Sequence, residues 1–311
     1  MGSDELSIPT IANSDLPAIL DAADSAARAA KRNYYLWTGV DLALLVAGTL
    51  LLSVEAREAA LRALAGYGAA ICLIVSLAST VVLLKTNYDK VWYGARAVAE
   101  TVKTLSWKYM TCTEPFAAKL TNVEADEMLI AKLMSILSER KELFWLFDGD
   151  LGVRSEITET MRRARALDFG SRKQMYLDQR INDQRKWYGG RARKNRSAAL
   201  RWLYGVIVAQ LSAIAFTLTI VLHPEFTREY THVNWAHVCS AAAIAFLAWM
   251  QLKQNHELAQ AYGVAAHELG LISEQISHVK TEQDLSRFVA ETESSISREH
   301  TMWMAKRERF G

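Results

Sequence analysis

Residues 63–84, ALAGYGAAICLIVSLASTVVLL, run on without a single charged side chain. A transmembrane helix needs about 20 predominantly apolar residues. A helix of a water-soluble protein rarely stays uncharged for that long, because one of its faces normally meets water. Three more segments pass the same test. Residues 202–222 lie between Arg201 and Pro224, and residues 235–252 end at Lys253. Residues 34–54, YYLWTGVDLALLVAGTLLLSV, pass with one interruption, Asp41. Four buried helices of a soluble all-α protein are the alternative, and the length of the runs argues against it. The chain is read as an all-α membrane protein.

The four spans pair into two tandem transmembrane helical hairpins. A short connection, EAREAALR, separates the first two, and PEFTREYTHVNW separates the last two. Lys31, Arg32, Lys85 and Lys90 flank the first hairpin, and Arg191, Arg193, Lys194, Arg196 and Lys253 flank the second. The positive-inside rule then places both termini and the long middle segment in the cytoplasm. A multi-pass membrane protein is expected. Each hairpin exits through an L-K-x-N sequence, at Leu84–Asn87 and Leu252–Asn255, followed thirteen residues later by Glu100 and Glu268. This points to a duplication. Domains are assigned as 1–147 and 158–311, joined by a linker at 148–157 that contains DGDLGVR.

The segments outside the spans read as long cytoplasmic helices, each continuing the preceding span. Arg96, Glu100, Lys103 and Trp107 fall on one helical face. A helix is expected from Glu124 to Phe147, and Thr281 with Asp284 forms a capping pair that opens another. In YLDQRINDQRKWYGGRARKN, Tyr176, Arg180, Asp183, Trp187 and Arg191 lie within roughly 80° of one another on a helix. That stripe suits a juxtamembrane packing contact or a ligand site, and no second constellation joins it. Gly189-Gly190 breaks the helix before the membrane and is a candidate hinge. Residues 154–201 hold 14 Lys or Arg against five Asp or Glu, a charge that could attract RNA, a nucleotide or anionic lipid, or simply flank a span. The whole chain carries only +2, which excludes a globally basic nucleic-acid binder, and nucleic acid is not expected as a partner.

Within the spans, Gly68, Cys72, Ser76 and Thr80 recur at every fourth residue, as do Gly39, Ala43 and Ala47, a spacing that lets helices approach closely. Gln210 and Thr217 share a face. Asp41 is the one carboxylate in a span, and such groups tend to face protein or water. Asp41, Ser76, Thr80, Gln210 and Thr217 are the pore or gating candidates, with Asp41 alternatively capping a late-starting span. Arg96, Glu100, Trp107, Arg180, Asp183, Trp187, Arg191 and Glu268 are the candidates for helix contact or signal input. His256, His267 and His278 align on a helix about 16 Å apart, too far to share a metal ion. Cys72, Cys112 and Cys239 lack metal or disulfide spacing. The start MGSDELSIPT is too polar for a signal peptide, and Leu6 replaces the Ser or Thr of a myristoylation site. No nucleotide-binding loop or catalytic motif occurs, so neither an enzyme, a cofactor nor a metal is expected. Glu100 with Arg96, or Asp183 with Arg180, would be an enzyme's only candidates.

The residues preceding the second hairpin, Tyr176-Leu177, Arg180, Asp183-Gln184, Trp187-Tyr188 and Asn195, resemble one subfamily of the SLATT domains. These are bacterial two-span modules associated with SMODS-type nucleotidyltransferases and SLOG proteins. ISREHTMW, Ile296 to Trp303, resembles that subfamily's C-terminal signature. LPAILDAADSAARAAKRNYYL, RAVAETVKTLSWKYM and EPF resemble a second subfamily. The resemblance covers about 14–146 and 158–306. It implies a membrane-perturbing or pore-forming effector of anti-phage or conflict systems, triggered by a nucleotide second messenger or a sensor protein encoded nearby. A homo-oligomer in the lipid bilayer is expected, since one chain offers few walls for a pore. A non-conducting scaffold that recruits a cytoplasmic partner is the alternative.

Overall fold

The computed structural model describes residues 8–56, 58–141, 154–225 and 232–308, with side chains as far as residue 297. Among them the chain is helical throughout, apart from turns and one isolated backbone bridge. The helices are α1 (Ala18–Leu52), α2 (Ala59–Thr86), α3 (Tyr88–Met110), α4 (Asn122–Glu139), α5 (Glu159–Arg165), α6 (Phe169–Tyr176), α7 (Asp183–Leu222), α8 (Trp235–Lys253), α9 (Asn255–Gln275) and α10 (Glu282–Glu308). Four of the helical stretches are long and apolar enough to cross a membrane, at the four spans read from the sequence.

The chain divides into two compact units, and both sequence halves contribute to each. Unit one comprises residues 1–31, 89–191 and 261–311, and unit two residues 32–88 and 192–260.

Unit two contains the spans. Its interhelical contacts are made by small and aromatic side chains. A Cβ on Gly48 would meet Cys72 at 3.6 Å, and one on Gly68 would meet Leu51 at 3.1 Å, so α1 and α2 lie close together. Gly205 faces Phe246 in the same way, and Trp202 packs on Phe246 and Trp249, joining α7 to α8. Gly39 and Tyr35 pack on Trp249, which joins α1 to α8. Lys253 sits 3.2 Å from the centre of the Tyr35 ring, as amphipathic aromatic and basic residues do at a membrane interface. At the opposite end the two short loops pair. Val54 bridges Val233, the Glu55 amide donates to the His232 carbonyl at 2.7 Å, and the Asn234 amide donates to Ser53 at 2.8 Å.

Unit one is a helical bundle with an aromatic core that includes Trp107, Tyr109, Phe116, Tyr176 and Tyr188. Arg165 holds the turn after α3 by donating to the carbonyls of Tyr109, Phe116 and Ala117 at 3.0, 2.8 and 3.2 Å. Thr121 with Glu124 caps α4, and Thr281 with Asp284 caps α10 as expected.

The structure corrects two readings. Gly189 and Gly190 do not break a helix, because α7 runs through them without interruption. Nor do α3 and α9 continue the preceding spans. Single left-handed residues, Asn87 at φ 45° and Gln254 at φ 47°, separate α2 from α3 and α8 from α9. Both breaks fall within the repeated L-K-x-N sequence. The N-terminal seven residues, residues 142–147 of the expected fourth helix and 148–153 of the expected linker lie outside the described residues. So do Arg57 and 226–231 of the loops, and the side chains of the ISREHTMW signature after Ser297.

The glycine pair generates a test. A Cβ at either position meets nothing within 4 Å, and glycine in a helix interior costs about 1 kcal/mol relative to alanine. Gly189→Ala and Gly190→Ala should each raise the melting temperature of the detergent-solubilised protein, and the double variant should raise it further.

Candidate functional site

A fully buried polar cluster lies inside unit one, centred on a carboxylate that the sequence reading did not single out. Glu293 of α10 is fully buried. Arg180 grips it with both arms of one edge, Nε to Oε1 at 2.8 Å and Nη2 to Oε2 at 2.7 Å. The Tyr176 hydroxyl donates to Oε1 at 3.0 Å and the Thr104 hydroxyl to Oε2 at 2.9 Å. Arg180 is itself 2% exposed, so neither charge reaches water. A bidentate pair in so dry a place is strong, yet removing one partner would strand the other. Burial opposes the charge on Arg180, and Glu293 more than restores it, raising its pKa above the ordinary value. Burial, followed by the Glu293 charge, raises the Tyr176 hydroxyl well above its ordinary range.

Local backbone geometry aims these groups. Between α6 and α7 the chain makes a wide helical turn, Leu177–Asn182, with one extra residue per turn. Turns of this kind recur at functional sites. The turn also divides the stripe expected on a regular helix. Tyr176 and Arg180 point into the core and Asp183 is exposed. Trp187 packs edge-on against Tyr188 and Tyr262, with the Arg191 guanidinium 5.2 Å from its ring centre. A second constellation does join this segment, contrary to the expectation from sequence, since α3 and α10 supply Thr104 and Glu293. The missed carboxylate had a signal. Leu285, Val289, Thr292 and Ile296 form the buried face of α10, and Glu293 lies within that face at helical spacing.

Beside the pair is a cleft of about 50 Å³ lined by Ile11, Asn13, Leu16, Lys103, Trp107, Gln179, Arg180, Asp183 and Gln184. It joins three of the sequence candidates, Trp107, Arg180 and Asp183. Trp107 is 3% exposed and lies edge-on to the Tyr176 ring at 5.9 Å. Gln179 pins the N-terminal segment alongside the cleft, accepting from the Ile11 amide at 2.7 Å and donating to the Pro9 carbonyl at 2.9 Å. Burial, then the charge of Arg180, holds the Lys103 ammonium below its ordinary pKa.

The remaining candidates lie elsewhere. Arg96 pairs with Asp24 at 2.8 Å and with the buried Glu100. Glu268 is exposed, as are His256, His267 and His278. In unit two the Ser76 hydroxyl donates to the Asp41 carboxylate, tying α1 to α2. Asp41 lies within α1 and does not cap it. Ser76 is buried, while Thr80 is exposed and donates to the Ser76 carbonyl at 3.2 Å. A spacing of four gains about 40° per step on a helix of 3.6 residues per turn, which carries Thr80 off the packed face. Gln210 and Thr217 are both exposed, and Thr217 donates to the Ala213 carbonyl at 2.8 Å. Of the basic residues between 154 and 201, Arg165, Arg172 and Arg180 are buried, Arg154 pairs with Asp21 and Arg162 with Asp126. The exposed ones include Arg185, Lys186, Arg191, Arg193, Lys194, Arg196 and Arg201, all on α7. Among the described residues no group of three His, Cys, Asp or Glu gathers as a metal site.

Two comparisons with family models agree with the hairpin layout. Residues 17–173 match the model described as SMODS and SLOG-associating 2TM effector domain 3, and residues 176–303 match SMODS and SLOG-associating 2TM effector domain 1. Neither the curated proteins nor the solved structures yielded a match.

The buried pair gives a sharp expectation. Arg180→Met or Glu293→Gln should each destabilise the protein by about 3–5 kcal/mol, because each leaves a buried charge uncompensated. The double variant Arg180→Met with Glu293→Met should cost less than the sum of its single changes. Chemical denaturation of all the variants in one detergent measures the difference.

Proposed function

We propose, from the premise that the chain belongs to the family of SMODS and SLOG-associating two-transmembrane effector domains and carries two of them in tandem, that it is a homo-oligomeric inner-membrane effector that permeabilises the bilayer when a cytoplasmic signal reaches it. The tandem domains are 1–147 and 158–311, joined through 148–157. The termini and unit one are assigned to the cytoplasm by the distribution of Lys and Arg around the spans. The signal, a nucleotide second messenger or a neighbouring sensor protein, acts on unit one and is passed on through α1 and α7, each of which contributes residues to both units.

The observation that carries this reading is Asp41. It lies seven residues beyond Tyr34 and thirteen short of Val54, about 10 and 20 Å from the two ends of the span. A carboxylate at that depth is costly and is a candidate for an ion pathway. Ser76 satisfies one of its acceptor positions, and the others are suited to a hydrated path. Gln210 supports the oligomer. Its side chain is exposed on α7, and an amide left unpaired in hydrocarbon costs several kcal/mol. Another copy of the chain supplies the partner. The family consists of effector domains.

The test is membrane potential, read with a voltage-sensitive dye in bacteria induced to make the protein. Asp41→Asn keeps an oxygen for Ser76 and removes the charge, so it separates conduction from packing. We expect prompt depolarisation by the wild-type protein and a weaker response from the variant at matched levels. Equal depolarisation would take Asp41 off the path, and full toxicity from a chain lacking its spans would rule out a membrane effector. A scaffold predicts no depolarisation and loss of function on Trp187→Ala. Gln210→Leu should shift cross-linked protein in membranes toward monomer.

A further inference from the structure

Two buried N–H donors, Nη1 of Arg180 and Nε1 of Trp107, have no hydrogen-bond partner among the described residues, and both residues line the same cleft. Buried donors are normally satisfied, and leaving one unmade costs the full desolvation of the group. The edge of the Arg180 guanidinium that carries Nε and Nη2 is taken by Glu293, so Nη1 is the corner left over. Glu293 cannot serve Nη1 as well, because four donors already occupy its two oxygens. A second cation, Lys103, lines the same cleft. Two positive groups and an indole N–H thus share one cleft, and Arg180 Nη1 and Trp107 Nε1 have no acceptor among the described residues.

We propose that this cleft binds a small oxyanion, a phosphate or carboxylate group, held by Arg180 Nη1, Trp107 Nε1 and Lys103 Nζ. Planar guanidinium and ammonium donors suit such a group. Burial first, then the charge of Arg180, lowers the Lys103 pKa, with Glu100 and Asp24 opposing in part, and an incoming anion would offset the lowering. Size narrows the ligand further. A volume of about 50 Å³ has room for only a few water-sized centres at about 10–15 Å³ each. It suits one anionic head. The body of a larger ligand would lie at the rim, where Asn13 and Asp183 are exposed. Asp183 disfavours further negative charge there and accepts from hydroxyl or amino groups. An occupant would bridge α3, the wide turn before α7 and the N-terminal segment pinned by Gln179, so binding draws three separate stretches of unit one together. As an oxyanion site the cleft is independent of the effector reading; as the input for the cytoplasmic signal it rests on it.

The test uses the full chain in detergent micelles, with inorganic phosphate and adenosine 5′-monophosphate as probes and chloride at matched ionic strength as control. Calorimetric titration and melting temperature are the readouts. We expect saturable binding and a rise in melting temperature with phosphate but not with chloride. Lys103→Met and Trp107→Phe each remove one donor and leave the Arg180–Glu293 pair intact. Each should weaken binding by about tenfold to a hundredfold. Tighter binding of the nucleotide than of phosphate would identify a phosphate monoester as the source, and equal binding would identify free phosphate. No saturable binding, a shift that chloride reproduces, or unchanged affinity in both variants would overturn the proposal. Binding that persists in a protein that never depolarises cells would keep the site and remove the effector reading.

Discussion

The ion pair between Arg180 and Glu293 is the contact on which unit one depends. Both charges are withdrawn from water, and each is tolerable only because the other is there. The carboxylate takes hydrogen bonds from α3, from the end of α6 and from the wide turn before α7, while sitting on α10. Three stretches distant in sequence, α3, the 176–180 turn and α10, therefore share one polar point. An apolar core of similar shape could pack in several registers, whereas this one requires a particular tyrosine and threonine to reach the same two oxygens. The neighbouring arginines act alike. Arg165 gathers the carbonyls after α3, and Arg172 joins the Cys112 thiol, the Arg165 carbonyl and Glu282.

Unit two is held by different means. Its helices meet through glycine, alanine and aromatic rings, through the Ser76–Asp41 hydrogen bond and through the paired loops at Val54 and Val233. The hydrophobic effect does little between helices in lipid, so close packing and a few hydrogen bonds carry their association. The exposed faces of α2 and the membrane part of α7 bear Leu64, Ile71, Ile74 and Leu77, and Tyr204, Val208, Leu211 and Ile214. Those faces suit lipid or another copy of the chain.

The spans were legible because freedom from charge over some twenty residues is a property of the chain alone. The face of α3 that carries Arg96, Glu100, Lys103 and Trp107 was legible for the same reason, since it follows from helical spacing. What escaped depended on partners. Arg165 and Arg172 counted only as a basic flank, and only the fold shows that they are interior groups. Glu293 looked like one more acid on a polar helix until its neighbours at Val289 and Ile296 proved to be core. The breaks at Asn87 and Gln254 were hidden because a single left-handed residue carries little compositional mark. Asparagine visits that region more readily than most residues, and glutamine gives no warning. The extra residue in the turn at 177–182 has no compositional mark, so a regular helix was the natural reading.

Those two breaks have a mechanical meaning. The chain enters each hairpin along an unbroken rod, α1 or α7, and leaves it through a one-residue joint. A continuous helix carries torque along its axis, because every turn is bonded to the next. At each joint one left-handed residue interrupts that repeat, so the register of α3 or α9 is set apart from that of the span before it.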